Sequence, residues 1–117
     1  MNSLFKRVSV LALLCLVTCG VNAANFIAKI DRILFVEGTN KNRIYVYPEG
    51  GVKHAPACHG ENGDYMSFNM ERPMAKEYMS GLMMAMSADK RVGFFIEDSC
   101  VDQDVSATLR YFLVYKN

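Results

Sequence analysis

Residues 73–97 read PMAKEYMSGLMMAMSADKRVGFFIE, and the change of hydrophobic period inside this stretch decides the fold. From Met74 to Ala88 the apolar residues recur at helical spacing. At about 100° per residue, Ala75, Tyr78, Met79, Leu82, Met83 and Met86 share one broad face, with Lys76, Glu77, Ser80 and Ser87 opposite. Met84 falls among the polar residues and is expected at the surface. Pro73 suits the first helical position, where a missing N–H costs nothing. Beyond Asp89-Lys90 the period drops to two, and Val92, Phe94 and Ile96 line one face of a strand over Arg91–Glu97.

Upstream of this stretch, Asn25–Glu37 is a long β-rich run whose alternation fails at one point. Ile27, Ile33 and Phe35 share one parity, Phe26, Ala28, Ile30, Leu34 and Val36 the other, and Arg32 interrupts the second set. A bulge or strong bend near Asp31-Arg32 reconciles the two. Gly38–Asn42 is a turn by composition. Arg43–Tyr47 alternates cleanly, with Ile44 and Val46 on one face and Tyr45 and Tyr47 on the other, so the two runs read as a hairpin. A polar loop follows, then a third strand over Tyr65–Met70. Downstream, Asp98–Ser106 is polar and Thr108–Tyr115 is the last strand. The order β-β-β-α-β-β predicts a small, mostly β, α+β domain. It is the chain order of the five-stranded OB-like barrel, with the helix between strands three and four. An open sheet with one covering helix is the alternative that the same periodicities allow.

Residues 1–23 have another character. Lys6 and Arg7 precede an apolar run, Val8–Val17, and small residues ending in Val21-Asn22-Ala23 fit a signal-peptide cleavage site. The run is well short of the ~20 residues of a spanning helix. Residues 24–117 then form one domain of 94 residues, secreted or periplasmic. Leu16–Gly20 also loosely matches a lipobox, which would anchor the chain through Cys19 instead. Without Lys6 and Arg7, 11 basic residues face 12 acidic ones, which argues against nucleic acid as a partner. About half of the remaining residues are apolar, enough for a core and too many for a disordered chain. Cys58 and Cys100 are left as a pair, and in an oxidising compartment they are expected to form a disulfide.

The run Tyr78–Val92 resembles a helix-to-strand segment of small exported OB-fold proteins, in which a Leu- and Ala-rich helix ends in a small residue, Gly and Lys before a Val-led strand. Flanking cysteines placed like Cys58 and Cys100 recur in them. The group includes the pentamer-forming B subunits of subtilase-cytotoxin-like and pertussis-like toxins, and related bacterial proteins of unknown function. Here Asp89 stands where those proteins carry Gly, a position that Asp can fill in a left-handed turn. The resemblance implies a binding module with a glycan ligand, and it admits a homo-oligomer.

Among chemical constellations, His54, Cys58 and His59 are the most metal-like, soft ligands suited to copper if the thiol is free. A disulfide removes that thiol, so no metal or cofactor is expected and copper handling is the alternative. Cys58 beside His59 does not make a nucleophile, a base and an orienting group, and the acidic residues fall on a strand end and a loop. A non-enzymatic module is expected, recognising a carbohydrate or an exported protein, with inhibition of an exported enzyme as a further alternative. Its candidate ligand-binding residues are Arg43, Tyr45, Tyr47, His54 and His59. They combine aromatic rings with wet hydroxyls, a guanidinium and imidazoles on and beside the second strand.

Overall fold

A computed structural model describes residues 25–60 and 63–117. The signal-peptide and Cys19 readings lie outside these residues. The chain forms β1 (Asn25–Ala28), β2 (Ile30–Val36), β3 (Arg43–Pro48), β4 (Met66–Asn69), α1 (Ala75–Ser87), β5 (Val92–Ile96) and β6 (Ala107–Val114). Among the described residues no helix is long and apolar enough to cross a membrane. The expected elements are therefore present, but the strand count is corrected from five to six. The strands form one sheet in the order β1-β5-β6-β4-β3-β2 that does not close on itself.

The cause of the extra strand is local. The run expected as one long strand breaks at Lys29, whose carbonyl accepts a hydrogen bond from Glu49 N–H at 2.8 Å. The piece before it pairs antiparallel with β5 and the piece after it with β3. One residue thus separates the two end strands of the sheet. The bulge lies where alternation fails, since Ile30 pairs with Pro48 and Arg32 with Tyr47, leaving Asp31 as the extra residue. The β4–β6 pair is parallel, and the other ladders are antiparallel.

The core follows the alternation. Ile44 and Val46 of β3, Met66 and Phe68 of β4, Val92, Phe94 and Ile96 of β5, and Ala107 and Leu109 of β6 are buried together. Phe26 of β1 stacks obliquely on Phe94 at 5.3 Å between centroids.

The helix differs from its expected packing. Leu82 and Ala85 are fully buried and Ala75 nearly so, but Met83 and Met86 are 42% and 36% exposed, like Met84 rather than unlike it. Gly81 explains the rotation. A Cβ there would lie 3.1 Å from the ring of Phe112, so the missing side chain lets β6 press on that flank of the helix. Tyr78 meets the same ring edge-on at 5.3 Å. The buried face turns toward Gly81 and Ala85 and away from the methionine flank. Pro73 does not open the helix either. Met74 intervenes in a left-handed conformation (φ 65°), and the helix begins at Ala75. Asp89 is left-handed too (φ 55°), as its place before the Val-led strand requires. Its carboxylate pairs with Lys29 Nζ at 2.8 Å, joining the break between β1 and β2 to the helix–strand turn.

Candidate functional site

The alternation of β3 that buries Ile44 and Val46 puts Arg43, Tyr45 and Tyr47 on the outer face, each half-buried. Register sets their neighbours. Leu34 and Arg32 of β2 lie opposite Tyr45 and Tyr47, and Ser67 of β4 lies opposite Tyr45 on the other side. Tyr65, just before β4, stacks on Tyr45 at 4.2 Å and tilts against Tyr47 at 5.3 Å. The Arg32 guanidinium sits 4.1 Å over the Tyr47 ring, a favourable cation–π distance. Burial raises the Tyr65 phenol above its ordinary pKa, with the neighbouring Tyr45 adding to the effect.

The loop between β5 and β6 covers β4 from the outside, which is why all four β4 residues are buried. It is hooked down at several points. Thr108 Oγ1 accepts hydrogen bonds from the backbone N–H groups of Val101 and Asp102, at 2.8 and 3.0 Å. The Asp102 carboxylate accepts from Asn69 N–H at 2.9 Å and pairs with Arg72 at 3.4 Å. Ser106 and Ser67 share a hydroxyl–hydroxyl hydrogen bond. Gln103 then joins the loop to the tyrosines. Its Nε2 donates to the Tyr45 hydroxyl at 2.7 Å, and its Oε1 accepts from Tyr65 at 3.0 Å and Ser106 at 2.7 Å. Every hydrogen-bonding role of this amide oxygen and one N–H is filled.

Two clefts flank the tyrosine row. A groove of about 600 Å³ runs between the β2–β3 turn and residues 101–105, lined by Thr39, Asn40, Lys41, Arg43, Asp102 and Gln103 among others. Arg43 holds its wall by donating from Nε to the Asp102 carbonyl at 3.2 Å. A second cleft, about 400 Å³, opens at the other end of the row between Arg32, Tyr47, Glu49 and Asp64.

The five expected site residues are thus divided. Arg43 lines the groove, Tyr45 is tied to its wall through Gln103, and Tyr47 lines the second cleft. His59 serves the fold, with Nδ1 accepting a hydrogen bond from Ala107 N–H at 2.9 Å. His54 is exposed in a left-handed conformation (φ 59°) on the β3–β4 loop and lines neither cleft. Cys58 and Cys100 are joined in a disulfide, Cα–Cα 6.0 Å, tying that loop to the β5–β6 loop. The copper ligand set of His54, Cys58 and His59 therefore loses its thiol. Among the described residues no group of three or more His, Cys, Asp or Glu side chains is placed to hold a metal. Sequence reasoning missed Gln103 and Tyr65. Tyr65 sits at the edge of an alternating run, and nothing in a polar loop marks one amide as the link between strands.

Compared with known proteins, the chain matches no family model, no curated protein and no solved structure.

Proposed function

We propose that this chain is an exported, non-enzymatic binding module of OB-like architecture that takes a carbohydrate along the tyrosine row and the adjoining groove. The architecture is supported by the two end strands, separated by Lys29 alone, and by the parallel β4–β6 pair. On this reading β1 and β2 correspond to the two halves of the bent first strand of an OB-like barrel. In that architecture the loops beside the second and third strands take oligosaccharides and oligonucleotides, and the groove lies between the corresponding loops here. The near-neutral charge of residues 24–117 favours the sugar. Disulfide bonding supports export, since such bonds persist in oxidising compartments.

One observation carries the reading. Tyr45, Tyr65 and Gln103 form a fixed platform at the wall of a groove lined by hydroxyl, amide, ammonium and guanidinium groups. Such a platform offers apolar area at little entropic cost, beside donors and acceptors that match sugar hydroxyls. The glycan class and an oligomeric assembly are implied by the resemblance to toxin B subunits.

The test is a glycan array followed by NMR titration of the purified protein. Binding should shift resonances of Lys41, Arg43, Tyr47 and Gln103. Tyr47→Ala should weaken the best ligand at least fivefold, about 1 kcal/mol, with an unchanged melting temperature. Tyr47 is the cleaner probe because Tyr45 also supports the loop. No glycan binding, or binding indifferent to Tyr47→Ala and Lys41→Ala, would remove the proposal.

A further inference from the structure

The outer face of β1, β5 and β6, remote in strand order from the tyrosine row, carries a second surface that the glycan reading does not use. Register places Ile27, Gly93 and Leu113 in one row across the three strands, and Asn25, Phe95 and Tyr111 in the next. Ile27 is 53% exposed and Leu113 49%, with Tyr111 also exposed. Phe95 and Tyr111 stack at 4.4 Å and form one wall. Tyr115 reaches back across Gly93, where a Cβ would lie 3.2 Å from its ring. A niche of about 250 Å³ results, between Asn25, Ile27, Gly93, Phe95 and Tyr115. Gly93 is itself buried under the Tyr115 ring, which closes the bottom of the niche, and the niche has the size of one large apolar side chain.

The charge around this face is predominantly positive. The Arg91 guanidinium lies 5.7 Å from the Tyr115 ring and that of Arg110 5.8 Å from Tyr111. Lys90 donates to the backbone carbonyl of Lys116, bringing two more cations to the same end. The carboxylate paired with this set is Glu97, 3.7 Å from Arg110. These five groups sum to +3, whereas residues 24–117 as a whole carry −1. The rest of residues 24–117 therefore sums to −4, so this end of the strands is positive relative to the remainder.

Those two properties together select an occupant. Two copies packed face to face would set Arg91 and Arg110 against their own kind, so the charge opposes self-pairing. A lipid surface needs no niche for a single side chain, whereas a peptide anchor does. Among the described residues β1 has one hydrogen-bonded neighbour, β5, and stands at the end of the strand order, an edge at which an extended segment can pair through its main chain. We propose that the outer face of β1, β5 and β6 docks an extended acidic segment of a partner protein, with one apolar side chain seated in the niche between Ile27, Phe95 and Tyr115 and its carboxylates meeting Arg91 and Arg110.

The test is selection from a random peptide library displayed against the immobilised protein, followed by titration of the winning peptide. Selected sequences should be acidic with a fixed aromatic or branched apolar position, and their affinity should fall steeply with added salt. Arg91→Glu and Gly93→Ala should each weaken the winning peptide at least tenfold, with the melting temperature checked for both. If Gly93→Ala fails to fold, Arg91→Glu alone decides. Failure to select any acidic consensus overturns the proposal, as does a peptide indifferent to Arg91→Glu. So does a dimer that Leu113→Ser dissociates, which would make the occupant a second copy. Binding to vesicles of phosphatidylglycerol and phosphatidylcholine that Arg91→Glu abolishes, without peptide binding, would make it a membrane. Tyr47→Ala should leave peptide binding intact, which separates this face from the glycan reading.

Discussion

Replacing Gln103 by Ala tests how the β5–β6 loop is held to the tyrosine row. The amide makes three hydrogen bonds, to Tyr45, Tyr65 and Ser106. At about 1 kcal/mol net for each, a simple sum gives roughly 3 kcal/mol. The surroundings reduce it. Tyr45 and Tyr65 are half-buried, so water can reach their freed hydroxyls, whereas Ser106 is fully buried but keeps Ser67 as a partner. No group is left both buried and alone, and the cost should settle near ~1.5 kcal/mol. The assay is urea unfolding followed by tyrosine fluorescence, which suits a chain without tryptophan. Its slope should not change. A double-mutant cycle with Tyr45→Phe should give a coupling of about 0.5–1 kcal/mol, because the two substitutions remove the same bond. Zero coupling together with a cost under about 0.5 kcal/mol would show that the amide link is idle in solution. A cost above about 4 kcal/mol would mean that the whole loop detaches.

Other outcomes follow from single contacts. Replacing both Cys58 and Cys100 by Ser should lower stability by about 4 kcal/mol in the chain-entropy account, given a separation of 42 residues; a loss under about 1 kcal/mol in urea would refute it. Leu82→Ala should cost about 2–5 kcal/mol, while Met83→Ala, Met84→Ala and Met86→Ala should each cost under about 1; equal losses at Leu82 and Met83 would contradict the rotated helix. Because burial raises the Tyr65 phenol, the folded state holds that proton more tightly than the unfolded chain. Its stabilisation should be complete below the ordinary tyrosine pKa of about 10 and be lost as pH rises through the folded value. Tyr65→Phe should flatten that alkaline fall in stability, and an unchanged profile would count against it.

The sequence showed the fold where one face of an element is buried against one partner. Ile44 and Val46 against Tyr45 and Tyr47 is such a case, and β3 lies where alternation puts it. The failed alternation at Arg32 marked a real bulge. What it could not show was the break at Lys29, because a strand that changes partners keeps the same residue preferences on both sides of the break. Nor could it separate the helix face containing Met83 from the one containing Ala85. Both faces contain Ala75 and Leu82 and differ in which flank of that stripe is buried, and the choice rests on how closely Phe112 approaches Gly81. At the candidate site the tyrosines were legible from parity, and Arg43 from its place beside them. Gln103 was not, because its role comes from the height at which a hooked loop crosses β4. The hydrogen bond of His59 was hidden for a related reason: a lone imidazole carries no sign that a nearby backbone N–H will take its lone pair.

The division of the amino-terminal run between the two ends of the strand order has a consequence for how the chain acquires its structure. β2 can pair with β3 as soon as the six-residue connection closes, a fast local event. β1 directly precedes β2 in the chain, yet its Asn25 waits for Phe95, and β5 in turn pairs with β6 near the carboxy end. Synthesis therefore delivers β1 among the first structural segments, while its hydrogen-bonding partner is among the last. Until β5 emerges, Phe26 has no Phe94 to cover and stays in water. The first of the described strands is in this way the last that can lock, after β2, β3 and β4 have already been made. That ordering is compatible with the export proposed above, in which a chain is threaded through a channel before it folds. It also makes protection of the β1 backbone amides that face β5 the natural clock for the final step of folding.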